Sequence, residues 1–102
     1  MAEEQKEEQT KEALDFTTLE ERLGELDAAA FMSAERACRM AADPTPDIAQ
    51  SAAFCARLAA MAMGVPYERI KAMKLQEFAS VTMRTKSFLL APLGEMVIQR
   101  NS

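Results

Sequence analysis

FCARLAAMAMGVPYERIKAMKLQEFASVTMRTKSFLL, residues 54–90, decides the fold. Its first ten residues carry alanine and other small or apolar side chains with one charge, Arg57. Alanine loses no side-chain entropy in a helix, so this run reads as helical. Gly64 and Pro66 then stop it, glycine by accepting left-handed geometry and proline by refusing continuation. Tyr67–Met73 is long enough for a short helix opened by Pro66, and Lys74 and Leu75 interrupt it. From Gln76 onward Phe78, Val81, Thr82, Thr85, Phe88 and Leu89 recur at helical spacing, which predicts a longer helix ending at Ala91 and Pro92.

Working backward, a helix is expected over Pro46–Met63, apolar almost all round. Ile48, Ala52, Cys55, Ala59 and Ala62 make one stripe, and Phe54, Leu58 and Met61 widen it. A helix with so little polar surface is buried centrally or covered by a partner, and Arg57 reaches water along its alkyl stem. Asp27 is a natural N-cap for AAAFMSAERACRMAA, whose Phe31, Ala34, Cys38 and Ala41 share a face. That helix must end near Asp43, because Pro44 disfavours helical geometry in the residue before it. Thr17 or Thr18 is placed to cap a short turn through Leu23, interrupted near Gly24.

The 102 residues fit one domain. The expected fold is all-α: a compact bundle of about four to five short helices over residues 13–92, with room for one short extended segment near 14–17. A C-terminal tail, residues 93–102, follows. Phe54, Leu58, Phe78, Val81 and Phe88 are expected to share the core. Residues 1–12 carry five acids against two bases and no apolar anchor, so a disordered acidic arm, dispensable for folding, is expected there.

The composition disfavours several functions. The net charge is −4, and Lys71, Lys74, Arg84 and Lys86 are interleaved with Glu68 and Glu77. Phosphate neutralisation drives nucleic-acid affinity, so no nucleic-acid partner is expected. No uninterrupted run of about 18 apolar residues exists, so no membrane span is expected, and the acidic start is unlike a signal peptide. There is no histidine, and Cys38 and Cys55 stand far apart inside alanine-rich helices, which suits small buried side chains better than a metal site or disulfide. Glu20, Glu21, Glu25 and Asp27 stand at helix starts, where acids favour the positive end of the dipole. Ser51 and Ser80 have no base to activate them, and Gly24, Gly64 and Gly94 are isolated. No catalytic, cofactor-binding or metal-binding residue is assigned, and an enzyme is not expected.

Met61, Met63 and Met73 flank the Gly64–Pro66 break. Methionine repacks at low cost and serves both as core filler and as an adaptable contact for a partner helix. The candidate partner-binding residues are therefore Met61, Met63, Val65, Tyr67, Ile70 and Met73, with Leu93, Met96 and Val97 of the tail as a second set.

The order of these signals resembles a known family. An LDFTTL opening leads to an acidic-alanine helix that ends before PTPD. An alanine-rich helix stopping at GVP, a short YERIKAMKL segment and a helix closing on SFLL follow. Over roughly residues 14–90 this is similar to the small tail assembly chaperones of tailed bacteriophages and prophages. Gln76 stands where such chaperones often carry an acid. The resemblance implies a non-catalytic factor in the cytoplasm of the bacterial host. It would bind the tape-measure protein, keep it soluble, help recruit tail-tube protein, and be absent from the mature virion. A homo-oligomer is left open. The competing expectation is a small helical adaptor or structural protein of a phage or prophage that binds a partner helix.

Overall fold

The computed structural model describes residues 14–101, with side-chain surroundings for residues 14–91. The expected arm at residues 1–12 lies outside the described residues. Among the described residues, five α-helices and one 3-10 turn follow in order: α1 (Leu19–Leu23), α2 (Ala28–Met40), the 3-10 turn (Ile48–Gln50), α3 (Ala52–Met63), α4 (Tyr67–Lys71) and α5 (Leu75–Asn101). Among the described residues there is no strand, and residues 14–18 are irregular and turn.

α3 is the hub. Phe54, Cys55, Ala56, Leu58, Ala59, Ala60 and Ala62 are all buried, and α1, α2, α4, α5 and the 3-10 turn all pack on it. Alanines at a contact let helix axes come to the near end of the usual 8–10 Å range, so one helix can accept several neighbours. The main core joins Leu19 and Leu23 of α1, Ala34 and Cys38 of α2, Ile48, Phe54 and Leu58, and Val81 of α5. Phe31 meets Phe54 edge to face, with ring centroids 4.7 Å apart. A second cluster, of Ala56, Ala60 and Ile70, lies between α3 and α4.

Phe54, Leu58 and Val81 are buried as expected, but Phe78 and Phe88 are only half-buried. They also separate: Phe88 packs on the main core and Phe78 on the second cluster. Thr82 and Thr85 take much of the expected apolar face of α5 inward. Their hydroxyls donate back to the carbonyls of Phe78 and Val81, at 3.0 and 2.9 Å, so neither is an unpaired polar group.

Side chains cap the starts of α2, the 3-10 turn and α3. Asp27 accepts from the Ala30 N–H at 3.0 Å. Thr18 occupies the α1 N-cap position without a side-chain cap bond. The local turn is held instead by Asp15, which accepts from both the N–H and the hydroxyl of Thr17. The helix expected over Pro46–Met63 is divided: the 3-10 turn occupies 48–50, and Ser51, in extended geometry, caps α3 by accepting from the Phe54 N–H at 3.2 Å. Pro66 sits at the N-cap of α4, one place before the expected position.

The division at Ser51 follows from its second bond. The Ser51 hydroxyl donates to Asp43 at 2.5 Å, and the same carboxylate accepts from the Thr45 hydroxyl and N–H at 2.6 and 3.0 Å. Arg39 holds the rest of this connector, donating to the carbonyls of Asp43 and Thr45 at 2.8 and 2.7 Å and of Pro46 at 3.3 Å. Two prolines deprive the connector of N–H donors, and the guanidinium supplies replacements. At the other side of the bundle Arg84 ties α5 to α1, donating to both carboxylate oxygens of Glu20 at 2.8 and 2.6 Å and to the Phe16 carbonyl at 2.8 Å. With both side chains partly exposed, the ion pair contributes at most about 1 kcal/mol.

The helix expected to stop at Pro92 does not: α5 continues to Asn101. A proline forfeits one hydrogen bond, here to the Phe88 carbonyl, but its fixed φ is itself helical, so the penalty stays local. The expected tail at 93–102 is therefore largely an extension of α5, and nothing separates it from the helix before it.

Two predictions follow from the helix ends. α2 and α3 both finish in a left-handed residue with paired backbone bonds: Asp43 N–H to Cys38 and Ala42 N–H to Arg39, and Val65 N–H to Ala60 and Gly64 N–H to Met61. In α3 the left-handed residue is Gly64 (φ 69°), but in α2 it is Ala42 (φ 66°), which pays for its Cβ. Ala42→Gly is expected to raise stability in urea unfolding by about 1 kcal/mol, and a loss of that size would contradict the geometry.

The second concerns acid. The Ser51 and Thr45 hydrogen bonds lower the Asp43 pKa from 3.8 to about 2. A lowered native pKa gives stability that is present above the unfolded value and lost as pH falls through the native one. Stability should therefore drop between pH 3.8 and about 2. Urea midpoints measured across this window should fall less steeply for Asp43→Asn than for the unaltered chain.

Candidate partner-binding surface

The break between α3 and α4 is a tight corner. Gly64 turns the chain, Pro66 starts α4, and the two helices close on the Ala56–Ala60–Ile70 cluster. This closure sorts the expected partner-binding residues. Ile70 is completely buried at the centre of the second cluster, so it is a core residue and leaves the candidate set. Met63, Val65, Tyr67 and Met73 are half-buried: Met63 and Met73 pack on the main core, and Val65, Tyr67 and Met73 on the second cluster. Met61 alone of this group is exposed, at 40%. The side chains of Leu93, Met96 and Val97 lie outside those described; their positions fall on the C-terminal part of α5.

Tyr67 is the focus of the local electrostatics. The Arg57 guanidinium carbon lies 4.1 Å from its ring centroid, and the Lys71 ammonium lies 5.1 Å from it. Such cation–ring contacts are worth about 0.5–1 kcal/mol where exposed and more where desolvated. Lys71 also meets Glu68 at 3.5 Å. Arg57 therefore does more than extend its charge into water: it packs against the ring that covers the second cluster. Its being the sole charge of α3 was the visible sequence signal, but its partner across the corner was not.

The strongest apolar exposure lies elsewhere. Met32 and Met40 on α2 are 63% and 82% exposed, and Leu75, Met83 and Leu90 on α5 are 81%, 66% and 53% exposed. None of these was among the expected contact residues. Met83 and Leu90 stand seven residues apart, two turns along one helix face, and Ser80 and Ser87 are exposed on the same side. That spacing was readable, since both fall off the face marked by Val81, Thr85 and Phe88.

Chemically reactive groups are withdrawn. Cys38 and Cys55 are both free and buried, and burial raises both thiol pKa values. The Cys55 thiol donates to the Ala49 carbonyl at 3.6 Å. Among the described residues no group of three or more His, Cys, Asp or Glu side chains is placed to hold a metal ion, and no helix is long and apolar enough to cross a membrane. No family model, curated protein or solved structure matches this chain.

Proposed function

We propose that this chain is a non-catalytic helix-binding protein and, following the resemblance in its sequence, a tail assembly chaperone. In this reading it binds apolar helical segments of a tape-measure protein in the bacterial cytoplasm and keeps them soluble. It also assists recruitment of tail-tube protein and leaves before the virion is complete.

The observation that carries the binding role is the set of exposed large apolar side chains: Met32 and Met40 on α2 and Leu75, Met83 and Leu90 on α5. Single exposed apolar residues are ordinary, but Met83 and Leu90 recur on one face of α5, and long flexible side chains so placed suit a face that accepts more than one partner register. A long helical tape measure would expose apolar faces before assembly and needs such cover. Met61 at the α3–α4 corner is exposed and remains a candidate contact in its own right, while the buried Ile70 acts only by holding α4 in place.

Co-expression with a tape-measure protein encoded beside this chain tests the reading. The partner should become soluble and co-purify with it. Met83→Glu/Leu90→Glu should reduce capture about tenfold or more while leaving unfolding within about 1 kcal/mol, since both side chains are exposed. A tape-measure protein equally soluble without this chain, with no complex at low or moderate salt, would overturn it. Capture of a different helical partner alone would favour the adaptor reading.

A further inference from the structure

Methionine commonly fills irregular gaps in a core, yet none of the six methionines within residues 14–91 is buried here. Met32, Met40 and Met83 are 63%, 82% and 66% exposed, and Met61 is 40% exposed. Met63 and Met73 are half-buried against the core clusters. The buried apolar side chains are those of alanine, leucine, isoleucine, valine, phenylalanine and cysteine.

The cysteines are arranged the other way. Cys38 is 1% exposed and Cys55 0%, and burial raises both thiol pKa values, which disfavours the thiolate. Cysteine oxidation follows thiolate character and exposure, and both thiols lack both. Among the described residues, the sulfur that meets solvent is therefore thioether sulfur. Met83 is the methionine whose position matters most. It stands between the exposed Ser80 and Ser87 on α5, with Leu90 further along the same face. A sulfoxide there adds a strongly polar oxygen and no charge, leaving Leu90 as the remaining large apolar side chain on the 80–90 face. Met32, Met40 and Met83 belong to neither core cluster, so their oxidation removes no core contact.

We propose that hydrogen peroxide switches the apolar face of α5 to a polar one by oxidising Met83, together with Met32 and Met40, while the bundle stays folded. The thioether sulfur attacks one peroxide oxygen, a sulfur–oxygen bond forms and the O–O bond breaks. The proton of the transferred oxygen passes to the departing hydroxide, which leaves as water. Sulfur is oxidised and the peroxide reduced by the same electron pair. Methionine sulfoxide reductase reverses the step with a dithiol, which becomes a disulfide as water is released. The consequence for partner capture rests on the function proposed above; the chemistry does not.

The test treats the folded full chain with dilute hydrogen peroxide and follows each methionine by peptide mass mapping. Met32, Met40 and Met83 should oxidise at least about fivefold faster than Met63 and Met73. Cys38 and Cys55 should stay reduced, and the urea midpoint should not move once the exposed sites are oxidised. Retention on a phenyl matrix should fall on oxidation and return after reductase and dithiol. The fall should be smaller for Met83→Leu, whose exposed side chain is apolar and inert to peroxide. Met63 oxidising as fast as Met83 would overturn the proposal, as would a cysteine oxidised before Met83 or a bundle that unfolds on oxidation. So would a retention loss that the reductase leaves in place, or one equally large in Met83→Leu. With a tape-measure segment that the reduced chain captures, oxidation should lower capture about tenfold. Met83→Leu, compared with its own reduced form, should lose less than about twofold. Equal capture by the reduced and oxidised unaltered chain would count against the switch. If the reduced chain captures no such segment, the function proposed above fails, and the mapping and retention results still decide this inference.

Discussion

Burying α3 is the constraint on which the rest depends. Its buried positions carry alanine and cysteine beside only two large side chains, Phe54 and Leu58, so neighbouring elements can approach on nearly every side. A small chain has little interior to share, and a central helix with small side chains lets five other elements use the same one. The larger apolar side chains then come from the neighbours: Leu19 and Leu23 from α1, Ile48 from the 3-10 turn, Ile70 from α4 and Val81 from α5.

That arrangement fixes where polar groups go. With the centre occupied, charged side chains work at the edges, closing connections that the backbone cannot satisfy alone. Arg39 supplies donors to a proline-containing connector, Asp43 gathers Thr45 and Ser51, and Arg84 joins α5 to α1. Arg57 is the exception, because it rises from the hub helix and must exit past Tyr67. The same geometry leaves methionine and leucine on the outer faces of α2 and α5. Packing and surface are two outcomes of one distribution, with small residues inward at the hub and flexible apolar ones outward on the neighbours.

Much of this was legible in the sequence wherever a local signal controls the chain. Asp27 capping α2, Gly64 ending α3 and the fresh helix start after Lys74 all depend on a few adjacent residues. Three of the misreadings share a different cause, since they depend on contacts made outside the local run of sequence. Ser51 breaks the expected 46–63 helix because Asp43, eight residues earlier, accepts its hydroxyl. Ile70 and Met61 are equally apolar near one corner, but closure of α4 on Ala56 and Ala60 buries the first and leaves the second outside. Phe78 and Phe88 lie on one predicted face, yet they straddle two clusters because the hub presents two sides to α5. The stop expected at Pro92 is absent for the opposite reason: the proline costs one local hydrogen bond in a helix that is already propagating.

Native-state amide hydrogen exchange measures the central claim most directly, because the last-protected amides identify the segment that opens only when everything opens. If α3 is the hub, amides from Leu58 to Met63 should exchange only through global unfolding, with opening free energies equal to the stability from denaturant unfolding. Amides in α1 and α4, each one short helix packed against it, should exchange through smaller openings. Protection that is highest in α5 while α3 exchanges through a local opening would contradict the account, since α5 would then be the element on which the others depend.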